Sequence, residues 1–468
     1  MLSCDLPPFD TLSLFVFLTT HQILCKCEQY FVSLCVIYQE TILISIIMRR
    51  FAVIAAIAAI VLGTISCNKI EGGEEYVDPE DLANNPFKEV QLSTKSKEFA
   101  RQGNTFAFDF IDRVSRTEKG DFIISPISLQ LLLGMILDGA QGQTADEICK
   151  VLGYGAGEAD AVNEFGQSMM QQLPSLDKRT KINIANSIFV NQKHPVLDSY
   201  KSTIGKYYQA EAANLDFSDP ASTLKAINGW CSEKTKGLIP KVLDDVSPQA
   251  VAYLLNALYF NSQWQDKFPK ENTASEKFTT SEGSVKKVPM MKDERSAFYY
   301  ENDEYRILRL SYGNAAFSMR VILPADGKTL SDVTEALKST DWYNLTHGGN
   351  FVRCEVDVWL PKFETKYEIE LNQILSDMGM PAAFSPKADF SALSETAFFL
   401  SLIKQDAVIK VDEERTEAAA VSMTGWYGSA GPLQPGQHIV FHADQPFLYV
   451  IDEWGSGSII FAGRFSGK

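Results

Sequence analysis

Apolar side chains along residues 94–468 recur in two spacings, and each predicts a different element. Phe106, Phe110 and Val114 stand at helical intervals. Phe122-Ile123-Ile124 is a short apolar run ending at Ser125, a residue type that caps helices, with Pro126 in the first-turn position. Leu131, Leu132, Leu133, Met135, Ile136 and Leu137 then leave almost no polar face, which predicts a buried helix. Gly139 and Gly142 break it, and Thr144 with Glu147 reads as a capping box for a helix carrying Ile148 and Leu152.

Three other stretches alternate with period two, as strands do. In residues 182–190, Asn186 falls in phase with Ile182, Ile184 and Ile188. In residues 252–260, Asn256 shares a face with Leu254, Leu258 and Phe260. In residues 403–411, Gln405 is in phase with Ile403, Ala407 and Ile409. An amide buried without a partner costs about 1–3 kcal/mol, so these three are expected to hydrogen-bond to one another or to backbone.

The last alternation runs into an unusual segment, Glu413-Glu414-Arg415-Thr416-Glu417-Ala418-Ala419-Ala420, with no aromatic until Trp426 and a Gly-, Pro- and Ser-rich loop beyond. Glu and Ala alone suit an exposed helix. Read as a strand, the segment sorts its charges instead. One phase is Thr416, Ala418, Ala420, Ser422 and Thr424, all uncharged; the other is Arg415, Glu417, Ala419, Val421 and Met423. A strand entering a sheet must bury one phase, and buried charge is costly.

The chain has 468 residues, 45% of them hydrophobic, enough for a large core without disulfides or metals. A net charge of −16 argues against nucleic acid and heparin-like polyanions as partners. Cys4, Cys25, Cys27, Cys35 and Cys67 crowd the front, and Cys149, Cys231 and Cys354 are scattered without metal-type spacing, so no metal or cofactor is expected. Enzyme signals are weak. Tyr427-Gly428-Ser429-Ala430-Gly431 lacks the first Gly of a nucleophile elbow, and no P-loop or dinucleotide fingerprint occurs. His438, His442 and Asp444 could share a strand face but read as ordinary strand or surface residues.

Met48-Arg49-Arg50 opens a start-like pattern: a basic region, apolar residues 51–62, then Gly63-Thr64-Ile65-Ser66-Cys67. That apolar run is short for a membrane span and fits a signal-peptide core. The expected organisation is an over-extended start (1–47), a signal peptide (48–66), a flexible acidic tether (67–93) from a lipid-carrying Cys67, and one domain (94–468) with an exposed loop at 413–437. Cys67 with the small residues before it resembles a bacterial lipobox, with Thr64 where Leu is usual, which implies an outer-surface lipoprotein.

The segment from Glu413 to Ala420 resembles the hinge of the serpins, protease inhibitors that insert a loop into their own sheet. Other stretches resemble serpin signatures in the same order: residues 122–153, residues 227–243, Leu255 to Phe260 with Trp264, Val288-Pro289-Met290-Met291, Leu360-Pro361-Lys362-Phe363, Ala388-Asp389-Phe390-Ser391 and Ala443 to Phe447. The resemblance implies an α+β fold, about nine helices around three β-sheets with a large central sheet, and a monomeric inhibitor rather than an enzyme. It places Asn256 and Gln405 on the central strands that part on insertion, with Ser125 beneath them and Trp264 where insertion begins. The family commonly has His where Gln405 stands, so no pH switch is expected at that position. It usually has Gly where Arg415 stands, which eases the hinge. Counting Glu413 as the first of seventeen residues puts the reactive bond at Ser429–Ala430. No Lys or Arg lies between Thr416 and Gly463, which disfavours trypsin-like targets. The implied partner is an elastase-like serine protease, with chymotrypsin-like and papain-like proteases as alternatives.

Overall fold

The structure, a computed structural model, describes residues 84–413 and 438–468 apart from residues 156 and 238. Helix α1 (Thr94–Thr117) is capped by Ser93, whose Oγ accepts from Ser96 N at 3.2 Å. β1 (Phe122–Ile124) leads into α2 (Pro126–Leu137). Ser125 caps α2 with Pro126 in the first turn, and every residue of the helix is buried, as its all-round apolar pattern requires.

The next helix, α3 (Gly142–Leu152), corrects one expectation. It starts at Gly142, so Thr144 already lies inside it and no capping box forms. Thr144 Oγ1 instead accepts from Asp389 N at 2.9 Å, and Glu147 Oε2 accepts from Ala382 N at 2.8 Å. Both side chains pin a distant segment to the helix.

There follow α4 (Ala159–Gln172), β2 (Thr180–Asn191), α5 (Asp198–Tyr208), β3 (Glu211–Leu215), α6 (Pro220–Lys234) and β4 (Ala252–Ser262). Strands β5 (Ala274–Thr279), β6 (Val285–Glu301), β7 (Tyr305–Ser311) and β8 (Phe317–Pro324) precede α7 (Leu330–Lys338) and α8 (Trp342–His347). The chain closes with β9 (Val352–Pro361), β10 (Phe363–Glu370), α9 (Asn372–Met378), β11 (Leu402–Val411), β12 (His438–His442), β13 (Phe447–Glu453) and β14 (Ile459–Phe465). Nine α-helices are thus present among the described residues.

The central sheet has the order β10-β11-β4-β2-β3. The other nine strands form one continuous ladder, in which the long β6 pairs in turn with β5, β9 and β7. The two smaller sheets of the expected three therefore share β6. Leu254, Ile403, Ala407 and Ile409 join α2 in the main core. The opposite face is covered as well, because Tyr253, Leu255 and Ala257 pack with Ile227, Trp230 and Cys231 of α6. Double cover explains why β2 is buried without interruption from Ile184 to Asn191 rather than on alternate residues.

Residues 84–93, the end of the acidic stretch read as a tether, lie against this body. Val90 is buried and its N donates to Glu453 Oε1 at 3.1 Å, while Gln91 N donates to Gln172 Oε1 at 2.8 Å. Cys149, Cys231 and Cys354 are buried free thiols.

Candidate functional site: a parallel seam and its open end

β4 and β11 are paired in parallel, residues 253–259 against 402–408, with Asn256 opposite Gln405. Parallel neighbours in a sheet are joined by a long connection, so nothing short ties these two together. The chain leaves β11 at Val411 and reaches Glu413 at one end of the seam. A strand turning back there and running between the two would be antiparallel to both.

The polar residues on the apolar phase meet at mid-seam. Gln405 Nε2 donates to Asn256 Oδ1 at 2.8 Å and to Ser125 O at 3.0 Å, and its Oε1 accepts from Ser125 N at 2.8 Å. Asn256 Nδ2 donates to Asn186 Oδ1 at 2.6 Å and to Ser128 Oγ. Ser125 Oγ in turn donates to Ile460 O at 2.6 Å. All five are buried, so the expected mutual pairing of Asn186, Asn256 and Gln405 is what the fold uses. One amide-to-amide bond, from Gln405 to Asn256, crosses the line where β4 and β11 would part.

At the open end, Trp264 is buried, stacked on Tyr312 at 4.4 Å between ring centroids, and its Nε1 donates to Asp412 O at 2.8 Å. Glu413 is 5% exposed and clamped, accepting from Thr273 Oγ1 at 2.9 Å and from Lys362 Nζ at 2.8 Å. Burial pushes its carboxyl up, but the hydrogen bonds from Lys362 and Thr273 outweigh that and hold it below the usual glutamate range. The last residues before the loop are therefore fixed by three separate contacts.

The front face of the seam is graded. Lys410 and Asn261 at the open end are exposed, whereas Lys404 and Asp406 further down are buried beneath the cover of α6. Lys404 Nζ donates to Val242 O at 2.7 Å and pairs with Glu368 at 2.8 Å. Asp406 Oδ2 is buried without a hydrogen-bond partner, and burial pushes its carboxyl up to about 7.

The structure thus brings Ser125, Asn256, Gln405, Trp264 and Glu413 onto one seam. Arg415, Thr416, Glu417, Ala418, Ala419, Ala420, the Ser429–Ala430 bond and Cys67 lie outside the described residues. Ser128, Thr273, Lys362, Lys404 and Asp406 escaped the sequence reading. Ser128 sits one helical turn after the recognised cap, and Lys362 stands inside a recognised motif. Thr273 carries no sequence signal. His438 and His442 are strand residues facing Glu294 at 3.2 Å and Asp357 at 3.0 Å, not a triad with Asp444.

An α+β body whose central sheet sets β4 and β11 side by side in parallel defines the class. The family described as "Serpin (serine protease inhibitor)" matches residues 101–467, and the chain belongs to that family. It is 31% identical over 389 residues to human Serpin B3, covering 78% of this chain and 98% of that relative. Among solved structures it is similar to the thermophilic serpin tengpin in its native state, with TM-score 0.70, 26% identity, and 83% and 98% of the two chains covered. It is also similar to human thyroxine-binding globulin complexed with its hormone, with TM-score 0.69, 25% identity, and 79% and 98% covered.

Proposed function

We propose that this serpin is a suicide-substrate inhibitor of serine proteases. One observation carries the reading: β4 and β11 are adjacent, parallel and bridged at mid-seam by a single side-chain amide bond, with the chain leaving β11 at the seam's open end. A protease forms its acyl-enzyme on the loop near Ser429–Ala430. Once that bond is cut, Thr416 onward turns back after Glu413 and enters the seam as a new strand. One parallel ladder becomes two antiparallel ones, which pair slightly better per residue. The attached protease is carried along and distorted before it can deacylate.

Side-chain order on the loop suits the graded seam. Thr416, Ala418, Ala420, Ser422 and Thr424 would face α2 without burying charge. On the other phase, Arg415 and Glu417 would sit at the open end beside exposed Lys410 and Asn261. Val421 and Met423 would sit deeper, under α6, where the neighbours are Leu255 and Trp230.

An elastase-like protease is the favoured target, because Ser429 is small and follows Gly428. A register two or three residues earlier, at Trp426 or Tyr427, would suit a chymotrypsin-like enzyme, and a papain-like cysteine protease is a further target. Cys67 would anchor the protein by lipid on an outer cell surface. Incubation with pancreatic elastase should give an SDS-stable complex, and the released peptide should begin at Ala430. Steady cleavage without a complex would favour a non-inhibitory serpin, a rival that Arg415 at the hinge supports.

A further inference from the structure

One face of the nine-stranded sheet carries more positive charge than the groups around it neutralise. Phe298 on β6, Arg309 on β7 and Arg320 on β8 stand in register across three neighbouring strands. Asp452 on β13 lies diagonally from Arg320, whose Nε donates to Asp452 Oδ2 at 2.5 Å. Arg320 is 0% and Asp452 1% exposed. Arg309, half-buried with its guanidinium packed inward over Trp454 and its edge still reaching the surface, has no carboxylate of its own; its Nε donates to the neutral Ser318 Oγ at 2.9 Å. Burial first, and then Arg320 beside it, push Arg309 down to about 9, which leaves it charged at neutral pH. Glu453, next along β13, faces the other way and is taken up by Val90 N, Gly455 N and Ser456 N. His347 on α8 is pushed down chiefly by burial and brings no negative charge. Two like charges directly across a strand pair, with one carboxylate between them, are unfavourable as they stand.

The unpaired atoms point the same way. Nη1 and Nη2 of Arg320 and Nε1 of Trp342 are buried donors without a partner. Against these three donor atoms one acceptor, Asp452 Oδ1, is also unpaired. The Arg320 guanidinium lies 5.7 Å from the Trp342 ring centroid and 5.1 Å from that of Phe351, and Arg309 stacks on Trp454 at 4.1 Å. The rings packed on the two guanidinium groups carry no acceptor of their own. Water would bring a donor with each acceptor and leave the surplus charge in place. A monovalent anion brings acceptors only and balances the charge.

We propose that the unpaired Arg320 Nη atoms and Trp342 Nε1, with Arg309 alongside, bind one chloride-sized monovalent anion. The site is separate from the seam, and its test does not depend on protease inhibition. Crystals of the full chain grown in sodium bromide should show an anomalous peak within hydrogen-bond distance of the Arg320 Nη atoms and Trp342 Nε1. In solution, chloride should raise the thermal midpoint saturably over gluconate at equal ionic strength. At a hundredfold excess over Kd the rise should be about 3.5 °C. Arg309→Met, which removes the surplus charge, should abolish the chloride effect, and Arg309→Lys, which keeps it, should retain it. Absence of a bromide peak together with equal midpoints in chloride and gluconate would overturn the proposal in favour of water. So would an undiminished chloride effect in the Arg309→Met variant.

Discussion

Gln405→Ala separates a seam that opens between β4 and β11 from one that merely packs well. In the native form the substitution orphans two buried groups, Ser125 N–H and Asn256 Oδ1. Ser125 O keeps a partner, because it also accepts from Leu129 N at 3.2 Å. At about 1–3 kcal/mol for each orphan, the native form should lose about 2–6 kcal/mol. Unfolding entropy of about 2.1 cal/mol/K per residue over a domain of roughly 370 residues converts that into about 3–8 °C. In the cleaved form an inserted strand would move β4 away by one strand spacing, about 4.8 Å, with β11 staying on Ser125. The 2.8 Å bond from Gln405 to Asn256 is then already broken, while the Ser125 bond to Gln405 survives. The same substitution should therefore cost the cleaved form less, by about 1–3 kcal/mol. Guanidinium unfolding of native and loop-cleaved protein, wild type against Gln405→Ala, gives both differences. Equal losses in the two forms would refute insertion at this seam.

Thr416→Arg would force a charge into the phase facing α2. It should turn the inhibitor into a substrate, read as loss of the SDS-stable complex with cleavage retained. Lys362→Met strands the buried Glu413 carboxylate. Because Lys362 itself is partly exposed, the native form should lose about 1–3 kcal/mol, seen as a lower denaturant midpoint. Asp406 gives a pH dependence of definite sign. Its carboxyl is pushed up to about 7 in the fold against about 3.9 unfolded, so its contribution to stability is full below pH 4 and is lost as pH rises to 7. Asp138, pushed up to about 6 by burial, acts in the same direction. Asp406→Asn should remove part of the decline between pH 4 and 7 in denaturant midpoints, and an unchanged slope would contradict the buried carboxyl.

What could be read from the chain depended on whether local periodicity was enough. Asn186, Asn256 and Gln405 announced themselves because period-two alternation puts each amide where an apolar side chain belongs, and such amides need partners, found here in one another, in Ser125 backbone and in Ser128. The Ser125 cap followed from Ser125 and Pro126, and the buried α2 from the apolar run that comes after them, all within one short window. Glu413 was read as part of a hinge, but its burial depends on Thr273 and Lys362, far away in the chain, so no window around it reveals the clamp. Lys404 and Asp406 alternate like solvent-facing strand residues, and only the arrival of α6 from elsewhere in the sequence buries them. The false capping box shows the converse limit, since the right residue types at the right spacing served a tertiary contact instead. Arg309 and Arg320 face one another only once β7 and β8 are paired.

Entry of the cut loop between β4 and β11 is the central claim, and cleaving the loop within 414–437 tests it most directly. Thermal unfolding should be followed on one preparation before and after a single cut in that segment. Insertion of the severed strand predicts a clear rise in the unfolding temperature with the chain otherwise unchanged. An unfolding temperature that stays where it was would mean that nothing entered the seam, and the inhibitor reading would be wrong.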